Sequence, residues 1–357
     1  MSADSLHKTG APDPGAGSSA EGKSVARNGL GVVAGVALTG AIIAWVWHRH
    51  GIDLTVFRHG AREANVATVA LVFVLSATFG LIVGAHKLHL VLRAMGVPIR
   101  YRETLQVRLA SAPARVLLPF ASGELMQVLC FRTVAGLPLV RASGAVVFDK
   151  GVNFLGALFW LVIGAGFVLR GDAAPEAISR LMPLLTGVLV IALLVGIGAV
   201  FATPAHGLAV RWGTGLHPKL GGWIASLLEP YRRIEARGKL TLLGYGVVFQ
   251  ARPLVVCYAL LAALNVYPGF RAVMAASAAA VCAGYAPGFL AGSGPREAVL
   301  LELLRPAGVS PEAGFFVGAL MTLSIHVVPA IVGVPWSIRM INRRRVIATD
   351  DATREAP

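Results

Sequence analysis

Seven residues in this chain set chemistry-bearing side chains in apolar surroundings: Glu124, Asp149, Lys150, Asn153, Arg252, Arg296 and Glu297. Glu124 follows "LPFASG" and Glu297 follows "APGFLAGSGPR", each just past a proline and a Gly-containing turn. A helix that starts after such a break offers free backbone N–H groups and the positive end of its dipole, which suits anions. The glutamates can satisfy those N–H groups as caps. A direct role toward a substrate stands equally open, and the two roles are compatible. Pro119, Gly123, Pro287, Gly288, Gly292 and Gly294 supply the backbone of the two breaks.

In "FDKGVNFLG", Asp149 and Asn153 stand four residues apart and share a helix face. Lys150 either joins them or extends toward a membrane edge. Arg252, in "VFQARPL", falls near the middle of an apolar block. An unpaired arginine at that depth is costly. It is expected to face a cavity and pair with Glu124, Asp149 or Glu297, or to grip a phosphate with its fork of donors. His86 and His89 have metal-ligand spacing without a nearby carboxylate, and they are read as packing residues. His326 is expected to hydrogen-bond a neighbouring helix. Cys130, Cys257 and Cys282 have no close Cys/His spacing and read as small buried hydrophobes. With no phosphate-cradling Gly-Lys-Ser loop and no Ser/His/Asp arrangement, neither a cofactor nor a metal is expected.

These residues need a membrane scaffold to hold them. Of 357 residues, 56% are hydrophobic and only 14% charged, well short of the rough quarter found in soluble domains. The net charge of +14 lies mostly between apolar blocks, which points to anionic lipid headgroups rather than nucleic acid as partners. A span needs about 20 apolar residues. Blocks of that size run from about 29–47, 65–92, 144–169, 181–203, 240–266 and 313–338. Two shorter stretches, about 105–120 and 271–290, run into Pro119 and Pro287 and are expected to dip into the membrane and return. Basic loops mark the cytoplasmic side. Arg93, Arg100 and Arg102, the 204–239 loop and "RMINRRR" all fall there if the chain starts inside. The expected fold is therefore an all-α polytopic membrane protein. It has six full spans and two re-entrant, Pro/Gly-broken elements, with both termini on the cytoplasmic side.

Residues 1–28 are too rich in Gly, Ser, Ala and Pro to form a core and are expected to be disordered, as is the end of the 341–357 tail after its basic start. The segment "GGWIASLLEPYRRIEARGK", with Trp223, Leu227, Leu228 and Tyr231 among basic residues, either lies flat on the inner leaflet or is an ordinary loop helix. The two breaks echo each other. Each has a proline, a small loop, a glutamate, a leucine-bearing helix, an arginine (Arg132, Arg305), then "AGL" or "AGV". The echo predicts inverted half-repeats over about 66–203 and 240–338 within a transmembrane domain spanning 29–340, the arrangement of many secondary transporters.

Taken together, "LLPFASGE", "VVFDKGVNFLG" and "YAPGFLAGSGPREAVLLELL" resemble the flippase-like integral membrane family typified by the transmembrane region of lysylphosphatidylglycerol synthase. On that resemblance Pro119, Gly123 and Glu124 match a first motif. Asp149, Lys150 and Asn153 stand where an acid, an Arg and an Asp would be. Pro287, Gly288, Gly292, Gly294 and Glu297 match the last motif, with Phe289 interrupting its Gly-Gly pair. The resemblance implies translocation of a phospholipid or another anionic or aminoacylated lipid, without aminoacyl transfer, since the chain ends soon after "RRR". Partnership with lipid-synthesis enzymes is compatible with it. A membrane-embedded transferase on a polyprenyl- or hopanoid-type lipid, or a non-catalytic scaffold, are the alternatives.

Overall fold

The computed structural model describes residues 64–117, 122–169, 176–201, 203–232, 234–285 and 294–354, with 41, 44, 48 and 62 singly. The expected tail at 1–28, nearly all of the first apolar block, and Pro119, Pro287, Gly288 and Gly292 lie outside them. Among the described residues every regular element is helical. In order these are α1 (Val66–Ala94), α2 (Tyr101–Leu117), α3 (Ser122–Ala135), α4 (Leu139–Leu169), α5 (Glu176–Phe201), α6 (Thr203–Leu216) and α7 (Pro218–Arg232). They continue as α8 (Ala236–Ala263), α9 (Phe270–Ala283), α10 (Pro295–Leu304), α11 (Pro311–Thr322) and α12 (Val328–Arg354). A π turn, Leu323–Val327, fuses α11 to α12. Among the described residues five stretches are long and apolar enough to cross a membrane: Val66–Ala94, Leu139–Phe167, Pro183–Phe201, Ala236–Ala263 and Pro311–Asn342. They match five of the six expected blocks. The chain is a multi-pass membrane protein.

Helices α1 and α8 form the axis of the molecule and run antiparallel. The Asn65 N–H donates to Ala263 O at 2.9 Å. Farther along, Arg252 reaches Ser76, and the rings of His86 and Tyr245 approach at 5.5 Å. Each helix closes with the same turn. Val97 N–H bonds Leu92 O and Gly96 N–H bonds Arg93 O, both at 2.9 Å. After α8, Val266 N–H bonds Leu261 O and Asn265 N–H bonds Ala262 O, both at 3.0 Å. This pattern needs a left-handed residue, and Gly96 (φ 74°) and Asn265 (φ 57°) provide it. Each turn leads to a short helix, a break and a second short helix packed beside the first, α2 with α3 and α9 with α10. Another left-handed glycine follows in each case, Gly136 (φ 61°) and Gly308 (φ 81°), and then a long span.

Apolar packing gathers at the two ends of this axis. At one end the last turns of α1 (Leu88, Val91, Leu92) meet Val107, Phe131, Val146, Leu242 and Met340. At the other the last turns of α8 (Val256, Leu260, Leu261) meet Val273, Leu300, Leu304, Val317 and Met321. The middle of the axis carries the charged and polar side chains. Helices α4 and α8 cross backbone to backbone at Gly156 and Gly246, where a Cβ on Gly246 would stand 2.7 Å from Val152 Cγ1.

One expectation is corrected. The 204–239 stretch is folded as α6 and α7, and Tyr231 is no surface anchor: it is buried, stacks on Phe148 at 4.6 Å and donates its hydroxyl proton to Gly144 O. Burial in this contact pushes the Tyr231 phenol up. Trp223 is exposed, as an interfacial residue would be. Helix α12 continues to Arg354, because "NRRRVIATDDATR" has neither Gly nor Pro to stop it.

Candidate functional site

The mid-axis charges form three linked groups. The first joins α1 to α4. Lys87 is fully buried, and its Nζ lies 2.8 Å from Asp149 Oδ1. The same ammonium donates to Asn153 Oδ1 at 2.5 Å and to the Asp149 carbonyl at 3.2 Å. Asn153 donates to Asp149 Oδ2 at 3.4 Å, so the i, i+4 pair does share a face. Gln250 of α8 adds a bond to Asn153 O at 3.1 Å and one to the Tyr285 hydroxyl at 2.5 Å.

The second group lies at the first break. Glu124 at the start of α3 is ion-paired with Lys150, and Arg115 Nε of α2 stands 3.8 Å away. The side chains are partly open, Glu124 at 20% and Lys150 at 37%. Lys150 thus joins the site rather than reaching to an edge.

The third group lies at the second break. Glu297 Oε2 accepts the Gly294 N–H at 2.6 Å, which caps α10. Its other oxygen accepts from Arg296 at 3.0 Å and from the Thr322 hydroxyl at 2.6 Å. Arg296 also donates to Thr322 and reaches His326 Nε2 at 3.1 Å. A guanidinium has no lone pair, so that nitrogen accepts and is unprotonated. His326 therefore makes the interhelical bond expected of it. Gly318 opens the space, since a Cβ there would stand 2.8 Å from Glu297 Cγ. The π turn carries His326, and such turns widen a helix locally.

Arg252 departs from expectation. Among the described residues neither Glu124, Asp149 nor Glu297 pairs with it. Its Nη1 donates to Ser76 O at 3.2 Å, and its guanidinium lies over the Phe249 ring at 5.0 Å. The carboxylates are already taken by Lys87, Lys150 and Arg296, residues on other helices or adjacent in sequence with shorter reach.

Sequence reasoning passed over Lys87, Arg108, Arg115 and Gln250. Lys87 sits beside two histidines near a helix end, so it looked interfacial. A signal for Arg108 was available: it stands in "VRLASAPAR", where small residues let neighbouring helices close over it. His86 and His89 pack by their rings with Tyr101, at 6.0 Å each. Among the described residues no three His, Cys, Asp or Glu side chains gather at metal-binding distance.

No curated protein matches the chain significantly. The family described as the lysylphosphatidylglycerol synthase TM region matches residues 32–333, which takes in all three charged groups and both breaks. A helical membrane scaffold with paired breaks, matched over most of its length, makes this chain a member of the lysylphosphatidylglycerol synthase transmembrane-region family.

Proposed function

We propose that the chain is a lipid translocase of a bacterial inner membrane, moving a polar-headgroup lipid between leaflets along the charged middle of the α1–α8 axis. The observation that carries this is the antiparallel pair α1 and α8, each closed by the same turn and each followed by a broken helix pair. It reads as two inverted halves that meet at a polar layer, with apolar packing at either end. Inverted halves can rock against each other and open a central site to one side at a time. Acyl chains would stay in lipid while the headgroup crosses among Glu124, Asp149, Lys150, Asn153, Arg252, Arg296 and Glu297. The basic ends of α1 and α12 and the α6–α7 hairpin would face the cytoplasm. A transferase is less well supported, because among the described residues Asp149, Glu124 and Glu297 are each held by a cation, and none of the three stands ready as a general base.

The test is a leaflet-quenching assay. Purified protein is reconstituted with fluorescent-headgroup phospholipids, and the fraction reached by a membrane-impermeant reductant is followed in time. The expected result is faster inner-leaflet loss than in protein-free vesicles. No acceleration with any lipid of a bacterial extract, from protein that remains monodisperse, overturns the proposal.

A further inference from the structure

Two arginines converge at Gly80 of α1. Arg108 Nε donates to Gly80 O at 3.3 Å, and a Cβ on Gly80 would stand 2.9 Å from Arg252 Cζ. Both guanidiniums lie over the same Phe249 ring, at 5.4 and 5.0 Å from its centroid. Lys87 lies over that ring as well, at 5.4 Å. Arg108 is buried, and the Arg252 Nε is buried with no acceptor. Among the described residues no carboxylate is at ion-pair distance from either arginine. The stretches 118–121 and 286–293 add no charge, since they read "LPFA" and "APGFLAGS".

The surrounding balance is one-sided. Among the described residues Lys87, Arg108, Arg115, Lys150, Arg252 and Arg296 gather around three carboxylates, Asp149, Glu124 and Glu297. Lys87, Lys150 and Arg296 each hold one carboxylate, and Arg115 stands second in line for Glu124. His326 accepts from Arg296 and so adds no negative charge. Like charges brought together away from water repel strongly. Two carbonyls and a ring face offset only part of that. A pair of guanidinium forks with spare donors is suited to the oxygens of a phosphate.

The geometry points to a phosphate seat formed by Arg108 and Arg252 against Phe249, and to a cargo headgroup that is net anionic, with no amine to balance its phosphate. This rests on the translocase reading and narrows it. An aminoacylated or zwitterionic headgroup would bring an ammonium into a layer already rich in cations. A phosphomonoester or an amine-free phosphodiester would bring the missing negative charge. Gly80 and Gly84 keep α1 thin where the guanidiniums lie; a Cβ on Gly84 would stand 2.5 Å from Arg108 Nε.

Retention of defined lipids by the purified full chain, read by native mass spectrometry, tests the seat. The probes are phosphatidic acid, phosphatidylglycerol, phosphatidylethanolamine and lysylphosphatidylglycerol, each offered at equal concentration, with inorganic phosphate as a soluble competitor. Wild type should retain the first two at least about tenfold over the last two, as repulsion of one added ammonium by the surplus cations requires. Arg108→Gln and Arg252→Gln should each remove that preference. Displacement by inorganic phosphate identifies a free-anion site rather than a lipid-headgroup one and overturns the cargo assignment. Equal retention of all four lipids, or a preference that survives both substitutions, overturns the seat.

Thermal unfolding in lipid-free detergent gives a second, independent readout. Removing one of two unbalanced like charges should leave the melting temperature unchanged or raise it, and phosphatidic acid should raise it for wild type only. A marked fall in both variants means that each arginine is held by an internal partner, and the seat is refuted. Selective retention without translocation sinks the translocase and keeps the seat. Translocation indifferent to headgroup charge does the reverse.

Discussion

The two halves of the axis share a scaffold and differ in chemistry. The register that brings Gly96 onto Asn265 also brings Lys87 onto Val256, and the one that brings Gly136 onto Gly308 brings Asp149 onto Met321. The buried Lys87–Asp149 ion pair of the first half is thus an apolar contact region in the second, where Val256 and Met321 belong to one core. In the same register Lys150 falls on Thr322. Both are the residues that bond the break glutamate, Glu124 in one case and Glu297 in the other. The first half grips its glutamate with charge in a partly open place. The second grips it with a cap, a hydroxyl and an adjacent arginine in a closed one. A similar turn geometry therefore does not fix the electrostatics: positions equivalent by the turns carry Lys87 and Asp149 in one half and Val256 and Met321 in the other.

The largest effect should come from making the first half resemble the second by one residue. Asp149→Met strands a fully buried ammonium, which costs about 3–5 kcal/mol, and should lower the melting temperature sharply. Adding Lys87→Val, which completes the apolar pair of the other half, should recover most of the loss. A double variant no more stable than the single one would show that the two positions are not equivalent. Next comes the difference between the glutamates. Glu297→Gln weakens a buried pair to Arg296 while keeping the side-chain shape, and should cost about 2–3 kcal/mol. Glu124→Gln, in a partly open pair, should cost about 1 kcal/mol or less. Equal losses would erase the distinction between the two breaks. Thr322→Val removes only the hydroxyl from the closed group and should cost about 1 kcal/mol by chemical denaturation.

Much of this arrangement was legible in the sequence. Five apolar blocks and the two short helices that precede the Pro/Gly stretches follow from composition and Pro/Gly placement, because span length and backbone satisfaction in lipid are strict constraints. Which charge meets which was not legible. The partner of Asp149 is Lys87, sixty-two residues away and next to two histidines that drew attention to themselves. Arg252 was expected on a carboxylate and instead lies on a ring and a carbonyl. Such pairings depend on helix rotation and depth, and α1 and α8 are apolar around most of their circumference, so no stripe announces the rotation. The repeat in turn chemistry was hidden for a different reason: Gly and Asn are dissimilar letters that share tolerance of the left-handed region.

That tolerance gives the smallest and most local comparison. Gly96 and Asn265 hold the same turn at φ 74° and 57°. Glycine adopts this conformation freely, whereas asparagine bears a modest steric cost that its short polar side chain limits. Asn265→Gly should therefore be near neutral or stabilising by a few tenths of a kcal/mol, the relief of strain being offset by greater freedom in the unfolded chain. Gly96→Asn should destabilise by about 0.5 kcal/mol, and a β-branched residue at either site should cost distinctly more. The pair is read by melting temperature in one detergent, with both exchanges made in the same background. If Gly96→Asn cost about 2 kcal/mol or more while Asn265→Gly stayed neutral, the turns would differ in more than their φ angles. The packing of α2 against α1, rather than the shared hydrogen-bond pattern, would then be what makes the first turn exacting.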